Sequence, residues 1–375
     1  MRSRARATTR ATARGPQAGV LRLRRVLARS DRPTSCLLRA LALALAAAFL
    51  VSPATAATRR KRGARAAIGR TRPAPSVILP ASASSWDLAV GQACQRALGR
   101  ARGAVVAMDP RTGRVSAVVN PVEAMQRAYQ PCSVFKIVVA IAGLSEGVIT
   151  PETTYRCQKG CWMWAGHGPI DLRRALAVSC NPYFEWVGEQ LGYRTIQRYA
   201  HLLGLGEVSG INLTGETAGC VPASVSPEAV GFLSSHATGV ATSALQLAVL
   251  ISAAINGGVV LQPALSGPQG FVPHERWRLP EGTRFDGLAQ GFLGAVNEGS
   301  ASPAFDPDVA VAGKTGTCSA LGWFASYAPA DHPELVVVVF LRRGSGHGAS
   351  AVAGRIFREL FAAGAAPPAV TTGTP

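Results

Sequence analysis

The chain has 375 residues, 48% of them hydrophobic, which is enough for one large domain or two small ones. Its formal net charge of +18 would suit a nucleic-acid-binding protein, but residues 1–75 hold 18 of the 39 basic side chains and a single acid, Asp31. The rest of the chain is close to neutral and has no excess charge for a phosphate backbone, so we expect no nucleic-acid partner.

The first 56 residues have the layout of a secretory signal peptide. A basic segment up to Arg39 precedes an apolar run at residues 40–51, and small residues then fit cleavage after Ala56. The run is shorter than the roughly 20 residues of a spanning helix, although an uncleaved anchor is the alternative. We therefore expect an exported protein, periplasmic or on the outer face of the membrane, and anchored there where the leader is retained.

Residues 57–84 are predicted to form a basic, disordered linker rich in Ala, Arg and Pro. Its basic stretch from Arg59 to Arg72 is a candidate for binding an anionic envelope surface, although most such stretches are only solvated. A folded domain is predicted over residues 85–362, followed by a loose tail at residues 363–375.

Turn signals and hydrophobic periodicity divide the domain into helices and strands. The predicted helices cover residues 85–98, 133–146, 171–178, 181–192, 242–255 and 349–361, and the predicted strands cover 103–108, 114–119, 309–317, 322–328 and 334–342. Ser85 and Asp171 are the predicted N-caps of the first and third helices. This order predicts an α/β (α+β) domain. Its core is a five-stranded antiparallel sheet flanked by helices, with a mostly helical insert between the second and third strands.

Lysine is rare in this chain and stands at informative places. Only four of the 39 basic residues are lysines, Lys61, Lys136, Lys159 and Lys314. Arginine cannot lose its proton in a protein, whereas a buried lysine can. Two of the four lysines belong to short motifs, Ser133-Val-Phe-Lys136 and Lys314-Thr-Gly-Thr317, and Ser179-Cys-Asn181 lies between them.

The first motif predicts an activated serine. Residues three apart on a helix share one face, so Ser133 is expected within reach of Lys136, at the positive end of an apolar helix. Serine is a poor nucleophile until a base takes its proton. Lys136 can be that base where burial and a second cation, Lys314, depress its pKa.

The other two motifs complete an acyl-transfer site. The Ser179 hydroxyl can relay a proton to a leaving amine, and the Asn181 amide can orient Lys136 and a peptide carbonyl. Lys314 with the hydroxyls of Thr315 and Thr317 makes a receptor for a terminal carboxylate. Gly316 would let a peptide lie along the strand.

Backbone N–H groups of Ser133 and Thr317 are the candidate oxyanion hole of this site. The chemistry that we predict needs no cofactor and no metal ion.

Seven cysteines follow the leader, which itself holds Cys36. Export permits disulfides, and the best candidate pair is Cys157–Cys161. Their spacing also suits metal ligands, but no second ligand pair stands nearby in the sequence, so we expect no metal site. Small cysteines at 132, 180 and 318 are expected to fill semi-buried space. A nucleophilic Cys132 would need a positioned histidine, and the spacing of His167, His236 and His347 does not indicate one.

The stretch from Gly103 to Leu360 resembles the transpeptidase domain of class B penicillin-binding proteins, which are active-site-serine penicillin-recognising enzymes of the β-lactamase/transpeptidase-like superfamily. The resemblance extends beyond the three motifs. Further matching segments are Cys161-Trp162, Gly166-His-Gly168, residues 171–181, Gly204-Leu-Gly206, residues 210–216, residues 242–248 and 255–258, and Ala312-Gly313 ahead of the third motif.

This resemblance implies a D,D-transpeptidase that acts on D-Ala-D-Ala stem peptides of peptidoglycan through an acyl-enzyme on Ser133, with β-lactams as covalent inhibitors. It implies that Lys136 is the base, Ser179 the proton relay and Asn181 the orienting amide. Lys314, Thr315 and Thr317, with Gly316 between them, would hold the substrate carboxylate.

Three departures from the family pattern stand out. Pro-Cys132 replaces the usual Pro-Gly before the serine, and Ala244 stands where a proline is frequent. The family usually carries a pedestal domain ahead of the catalytic one, and the short ordered-looking stretch here is too small to form it.

Alternative activities remain open on the sequence. A D,D-carboxypeptidase uses water where a transpeptidase uses an amine. A class D-like β-lactamase would have an apolar residue in place of Asn181, and a class A-like enzyme needs an acid such as Glu216 to activate water. A non-catalytic penicillin-sensing module would need a signalling region, which the sequence does not indicate.

Overall fold

The computed structural model describes residues 74–158, 161 and 165–361. The predicted leader, most of the predicted linker and the C-terminal tail lie outside these residues, so the domain bounds stay a prediction. Within the described part of the chain, no helix is long and apolar enough to cross a membrane.

A six-stranded antiparallel sheet organises the described residues. Its strands are β1 (Val77–Ile78), β2 (Gly103–Met108), β3 (Val115–Val119), β8 (Ala312–Cys318), β9 (Leu321–Ala328) and β10 (Leu335–Arg342). They lie in the order β1-β3-β2-β10-β9-β8 across the sheet. The five predicted strands are all present, which confirms the predicted fold class. The sixth, β1, has two residues, pairs with β3 and falls inside the segment assigned to the linker; a strand so short has no detectable periodicity.

Both faces of the sheet are covered, as the continuous apolar run of β10 requires. Along β10, Val336 and Val338 point into one buried cluster while Val337 and Val339 point into the other, because successive strand side chains alternate. The strand pairs in register with β2 and β9, so that Val338 lies opposite both Val106 and Ala325.

Different helices pack against the two faces of the sheet. The helices are α1 (Ser85–Leu98), α2 (Lys136–Ser145), α3 (Leu172–Ala177), α4 (Asn181–Leu191), α5 (Tyr193–Leu202), α6 (Val230–His236), α7 (Ala244–Ile255), α8 (Leu288–Asn297) and α9 (Gly346–Phe361). One cluster holds the buried side chains of α1 and α9, and the other holds those of α2 and α7. Two small hairpins complete the insert, β4 (Tyr155–Cys157) with β5 (Gly168–Ile170) and β6 (Val259–Leu261) with β7 (Glu275–Arg278).

Side-chain caps fix where several helices begin. Asp171 caps α3 as predicted, accepting a hydrogen bond from the Arg174 N–H at 2.8 Å. The cap of α1 is Ser84 rather than the predicted Ser85, because Ser84 forms a reciprocal capping box with Asp87.

Asp87 also ties α1 to the sheet. Its carboxylate has no exposed surface and accepts from both terminal nitrogens of the Arg114 guanidinium, which lies at the start of β3. Burial would raise the pKa of Asp87, but the hydrogen bonds from Arg114 and Ser84 outweigh it and hold this pKa below its usual value. The ion pair therefore stabilises the folded state only while Asp87 is ionised.

We expect Asp87→Ala to lower the free energy of unfolding by about 3–5 kcal/mol, because it leaves a largely buried guanidinium without its carboxylate partner. The loss should be full above pH ~4 and should shrink as the pH falls below that, because the folded-state pKa of Asp87 is depressed. Urea denaturation at several pH values measures it. The control is Glu359→Ala, which removes an exposed ion pair with Arg96 and should cost far less, because solvent screens exposed pairs. Equal losses in the two variants would contradict the assignment.

Candidate active site

The structure brings all three motifs together beside β8, the edge strand of the sheet. Lys136 is the first residue of α2 and is fully buried. Its Nζ donates hydrogen bonds to the Ser179 carbonyl at 2.8 Å, the Ser179 Oγ at 3.2 Å and the Asn181 Oδ1 at 2.6 Å. The first and second motifs are thus joined through one ammonium group.

The third motif meets the second at the same hydroxyl. Lys314 on β8 is also fully buried, and its Nζ donates to Ser179 Oγ at 2.8 Å and to the Thr315 carbonyl at 3.0 Å. A hydroxyl has two acceptor lone pairs, and here each of them faces a lysine.

Burial controls the charge of both lysines. It lowers the pKa of Lys136 to about 7, because the protein interior penalises the ammonium form. Burial, and secondarily the charge of Lys136, hold the pKa of Lys314 well below its usual value. An amine that is half deprotonated near neutral pH can accept and return protons there, which an arginine at either place could not do.

Ser133 lies in a tight 3₁₀ turn, Cys132–Phe135, and α2 begins only at Lys136. The single helix predicted over residues 133–146 is therefore two segments. The Ser133 hydroxyl donates weakly to the Ser235 carbonyl, at 3.5 Å, while Lys136 is turned to Ser179 and Asn181. Catalytic hydrogen bonds are often long in a substrate-free site, so this orientation is compatible with a nucleophile.

A cleft of about 580 Å³ opens over these side chains. It is lined by Ser133, Arg174, Val178, Ser179, Asn181, Glu298, Gly299, Ser300, Thr315, Thr317, Ser345 and His347. Five of the eight predicted site residues reach it, whereas both lysines lie buried beneath it and Gly316 does not line it. Thr315 Oγ1 lies 2.6 Å from Ser300 Oγ, and Thr317 Oγ1 accepts from the Gly346 N–H at 2.7 Å.

Gly316 is required here for a steric reason that the sequence analysis did not predict. A Cβ there would lie 2.6 Å from the Pro131 carbonyl oxygen and 3.1 Å from Val134 Cγ2. Glycine is needed because β8 packs directly against the turn that carries Ser133, and no room is left for any side chain. The Trp323 indole N–H reinforces this contact by donating to the Gln130 carbonyl at 2.9 Å.

The site includes a second polar network that the sequence did not indicate. Ser235 Oγ donates to the Glu185 carboxylate at 2.8 Å and lies 2.5 Å from His236 Nδ1. His236 Nε2 lies 3.4 Å from the Asn181 amide nitrogen, and burial lowers the pKa of His236. These residues lie about fifty positions away from their partners, and no local spacing connects them.

Glu216, the candidate water-activating acid, is engaged elsewhere. Its carboxylate accepts from the backbone N–H groups of Ser209 at 2.7 Å and Gly210 at 3.1 Å, and it does not line the cleft. These hydrogen bonds close the loop between Ser209 and Glu216. Glu216 is therefore not placed to activate water as the acid of a class A-like enzyme does.

A disulfide joins Cys132 to Cys318, across 186 residues of sequence and with a Cα–Cα distance of 5.7 Å. The prediction that these cysteines only fill space was wrong, and a bonded Cys132 is not a nucleophile. The bond links the residue before Ser133 to the residue after Thr317. Cys132 also has a φ of +53°, a region that favours glycine, which gives a physical reason for the Pro-Gly of the resembling family.

The predicted Cys157–Cys161 disulfide was also wrong, because both residues remain thiols. The fold places them beside His167 and Cys180, and the ligand atoms of the four side chains all lie within 4.8 Å of one another. The expectation that no further ligands stand nearby was therefore wrong: His167 directly precedes β5 and Cys180 directly precedes α4, and the fold brings both onto the loop. These four are the described residues that can hold a metal ion.

Known proteins resemble this chain in sequence and in fold. A family model described as the penicillin binding protein transpeptidase domain matches residues 103–362. Peptidoglycan D,D-transpeptidase MrdA of Haemophilus influenzae is 28% identical over 351 residues, covering 71% of this chain and 53% of that protein. Peptidoglycan D,D-transpeptidase PbpA of Mycobacterium tuberculosis is 25% identical over 328 residues, covering 70% of this chain and 65% of that protein.

Solved structures show the same fold. Penicillin-binding protein A from M. tuberculosis, as its imipenem acyl-enzyme complex, matches with a TM-score of 0.63 and 21% identity, over 74% of this chain and 78% of that one. The chain spans about half the length of the first curated relatives that it matches.

Removing the Cys132–Cys318 bond should destabilise the protein by about 2–5 kcal/mol. We expect Cys132→Gly/Cys318→Ser to recover roughly 1 kcal/mol relative to Cys132→Ser/Cys318→Ser, because glycine tolerates the positive φ at position 132. Urea denaturation of both double variants measures these differences.

The same measurement with a thiol reductant provides the control. Reduction should lower the stability of the wild-type protein much more than that of either double variant, which has already lost the bond. An equal effect of reductant on all three proteins would contradict a stabilising role for this disulfide.

Proposed function

Because the chain belongs to the penicillin-binding protein transpeptidase family, we propose that it is a serine D,D-transpeptidase-like enzyme of peptidoglycan synthesis. Its substrates are stem peptides that end in D-Ala-D-Ala, and the acyl-enzyme forms on Ser133. The observation that carries this proposal is the pair of buried lysines that share the Ser179 hydroxyl beneath the cleft where Ser133 lies.

Acylation begins when Ser133 Oγ attacks the carbonyl of the penultimate D-Ala and gives its proton to neutral Lys136. The weak 3.5 Å contact with the Ser235 carbonyl costs little to break when the hydroxyl turns to the lysine. The tetrahedral intermediate then collapses, the C–N bond breaks and the terminal D-Ala leaves as an amine. Ser179, which contacts both lysines, passes the proton to that amine.

The acyl group then passes to an acceptor amine, which regenerates the Ser133 hydroxyl by the reverse proton movements. Backbone N–H groups of Ser133 and Thr317 are proposed to stabilise the oxyanion in both steps. Asn181 keeps the Lys136 amine in place through its 2.6 Å hydrogen bond, and its amide nitrogen is available to a substrate carbonyl as well as to His236.

The substrate carboxylate is proposed to bind at β8. Lys314 Nζ has no exposed surface and is occupied by Ser179 and Thr315, so it supports the carboxylate site from beneath rather than by direct contact. The hydroxyls of Thr315 and Thr317 face the cleft and are the direct donors, with Ser300 beside Thr315. Gly316 supports them indirectly, because it lets the strand approach the Ser133 turn.

Wider features of the protein follow from the same proposal. The matched M. tuberculosis protein is described as an imipenem acyl-enzyme, which supports β-lactams as covalent inhibitors that acylate Ser133 here. A peptidoglycan substrate places the enzyme outside the cytoplasm. We also propose that the predicted leader is a signal peptide and that the Arg59 to Arg72 stretch binds an anionic envelope surface.

A fluorescent penicillin tests the central claim. Wild-type protein should take up about one label per chain and keep it for hours, Ser133→Ala should take up none, and the exposed-loop control Ser224→Ala should behave as wild type. Label that forms and disappears quickly would identify a β-lactamase. Absence of label from folded wild-type protein would refute the assignment of Ser133 as the acylated serine.

A D-Ala-D-Ala peptide offered with excess acceptor amine separates the two acyl acceptors. Mass spectrometry should find the amine-linked product together with free D-Ala. Release of D-Ala with only the hydrolysed peptide would instead identify a D,D-carboxypeptidase acting through the same acyl-enzyme.

The role of Lys136 predicts a pH profile. Only the neutral amine can accept the serine proton, so the acylation rate should rise about tenfold per pH unit below pH 6 and level off above pH ~7, where the depressed pKa leaves Lys136 deprotonated. Stopped-time labelling between pH 5 and 9 measures this.

The matched variant is Lys136→Arg, which keeps a cation but cannot accept a proton. It should slow acylation by roughly 10²–10⁴-fold on the plateau above pH ~7, and its rate should lack the wild-type dependence on pH. A melting curve checks that the variant folds. A wild-type rate that keeps rising to pH 9 would mean that the base titrates elsewhere.

A further inference from the structure

The second polar network of the site is a continuous chain of contacts that ends on Lys136. It starts at the Glu185 carboxylate, which accepts a hydrogen bond from Ser235 Oγ at 2.8 Å. Ser235 Oγ lies 2.5 Å from His236 Nδ1, and His236 Nε2 lies 3.4 Å from the Asn181 amide nitrogen. Asn181 Oδ1 then accepts from Lys136 Nζ at 2.6 Å. The proposed mechanism assigns a role only to the last of these contacts.

The direction of each hydrogen bond follows from what each group can donate. The Ser235 hydroxyl proton faces the Glu185 carboxylate and the Phe232 carbonyl, and both of these groups only accept. Ser235 Oγ is therefore an acceptor towards His236, and the ring proton must be on Nδ1. Nε2 of the neutral ring is then an acceptor, and it faces the Asn181 amide nitrogen, which donates. Only this tautomer of His236 gives every contact one donor and one acceptor.

The surroundings of His236 favour the neutral ring that this chain needs. Burial, and secondarily the positive charge of Lys136, lower the pKa of His236, while the charge of Glu185 acts in the opposite direction. A protonated ring would direct an N–H group at the N–H groups of Asn181, and two donors cannot pair. Phe232 stacks on the ring and holds its plane, with centroids 4.1 Å apart and an interplanar angle of 18°.

The two helices that carry these side chains pack closely against each other. Asn181 and Glu185 are four residues apart on α4, so they share the helix face that meets the C-terminal end of α6. A Cβ at Gly188, further along α4, would overlap the Ser234 side chain of α6. Glycine at this position therefore lets the helices approach, and the network between them has little room to rearrange.

The orientation of the Asn181 amide decides whether neutral Lys136 can act as a base. A neutral amine has two N–H groups and one lone pair. The Ser179 carbonyl and Asn181 Oδ1 only accept, so they take the two N–H groups and leave the lone pair for a hydroxyl proton, which in acylation is that of Ser133. If the amide were reversed, its own N–H group would donate to the lone pair and block the base.

Lys136 alone cannot set this orientation once it is neutral. Its ammonium form only donates and selects Asn181 Oδ1, whereas the neutral amine can pair with either end of the amide. His236 Nε2 distinguishes the two ends, because only the N–H end can face an acceptor. We propose that His236 is a positioning residue that keeps the Asn181 oxygen on Lys136 and so leaves the lone pair of the base free. This role rests on the proposed acyl-transfer mechanism, and His236 itself does not line the cleft.

A matched pair of variants separates the acceptor from the bulk of the side chain. His236→Gln retains a neutral acceptor that does not titrate, and His236→Leu retains similar bulk without an acceptor. At neutral pH and saturating fluorescent penicillin, the acylation rate should fall about tenfold in His236→Leu and by no more than about twofold in His236→Gln, because the difference is roughly one hydrogen bond. The penicillin concentration that gives half the maximal rate should change little in either variant, because position 236 does not line the cleft.

The control is His332→Gln, which changes an exposed histidine outside the cleft and should leave the acylation rate unchanged. Melting curves check that each variant folds. Equal losses in His236→Gln and His236→Leu would overturn the proposal, because the ring would then act through its packing alone. Wild-type rates in both variants would overturn it as well, because no acceptor at position 236 would be needed.

The tautomer of the ring provides a test that needs no turnover. Long-range ¹H–¹⁵N spectra of the wild-type protein at neutral pH should show His236 as a neutral ring protonated at Nδ1, and His236→Gln assigns the signal by its loss. A ring protonated at Nε2, or at both nitrogens, would overturn the proposal.

The two measurements also separate this proposal from the proposed function. Failure of the wild-type protein to take up penicillin would refute the acylation of Ser133, and with it the role of His236 in that reaction. Failure of the matched pair to differ, in a protein whose wild type takes up penicillin, would refute only the role of His236.

Discussion

Two fully buried lysine side chains converge on one serine hydroxyl, and the free-energy cost of protonating both amines in this dry site is the constraint on which the rest depends. Burying even one such group is unfavourable unless its hydrogen bonds are satisfied. Here the carbonyls of Ser179 and Thr315 and the Asn181 amide provide the remaining acceptors. The result is a base whose proton affinity is low enough for catalysis near neutral pH.

Such a site requires that three segments distant in sequence be held in a fixed geometry. The edge strand β8 supplies Lys314, the 3₁₀ turn supplies Ser133, and the turn between α3 and α4 supplies Ser179. Gly316 lets the first two pack backbone to backbone, and the Cys132–Cys318 disulfide joins them covalently. The cysteine and histidine cluster stands behind the third.

The sequence predicted the features that depend on local pattern. Strands β2, β9 and β10, the Asp171 cap and the stop of α4 before Gly192 follow from periodicity and turn chemistry, and the three motifs identified the site residues because lysine is so rare in this chain. The features that it missed depend on long-range contacts. Cys132 pairs across 186 residues, His236 meets Asn181 across 55, and Cys180 joins His167 only after the hairpin folds back. Pairings of this kind leave no periodic signal in the sequence. A prediction based on closeness in sequence therefore paired Cys157 with Cys161.

The position of the disulfide has a further consequence for the edge of the sheet. An edge strand has hydrogen-bonded neighbours on one side only and is the element most prone to fraying, yet β8 must keep its other side open. The bond at Cys318 fastens the last residue of β8 to the turn ahead of Ser133, so the strand cannot peel away from its end without breaking a covalent link. Backbone hydrogen exchange along the third motif is thereby tied to the opening of the whole sheet, and the oxidised protein keeps an unpaired edge without the local unfolding that usually accompanies one.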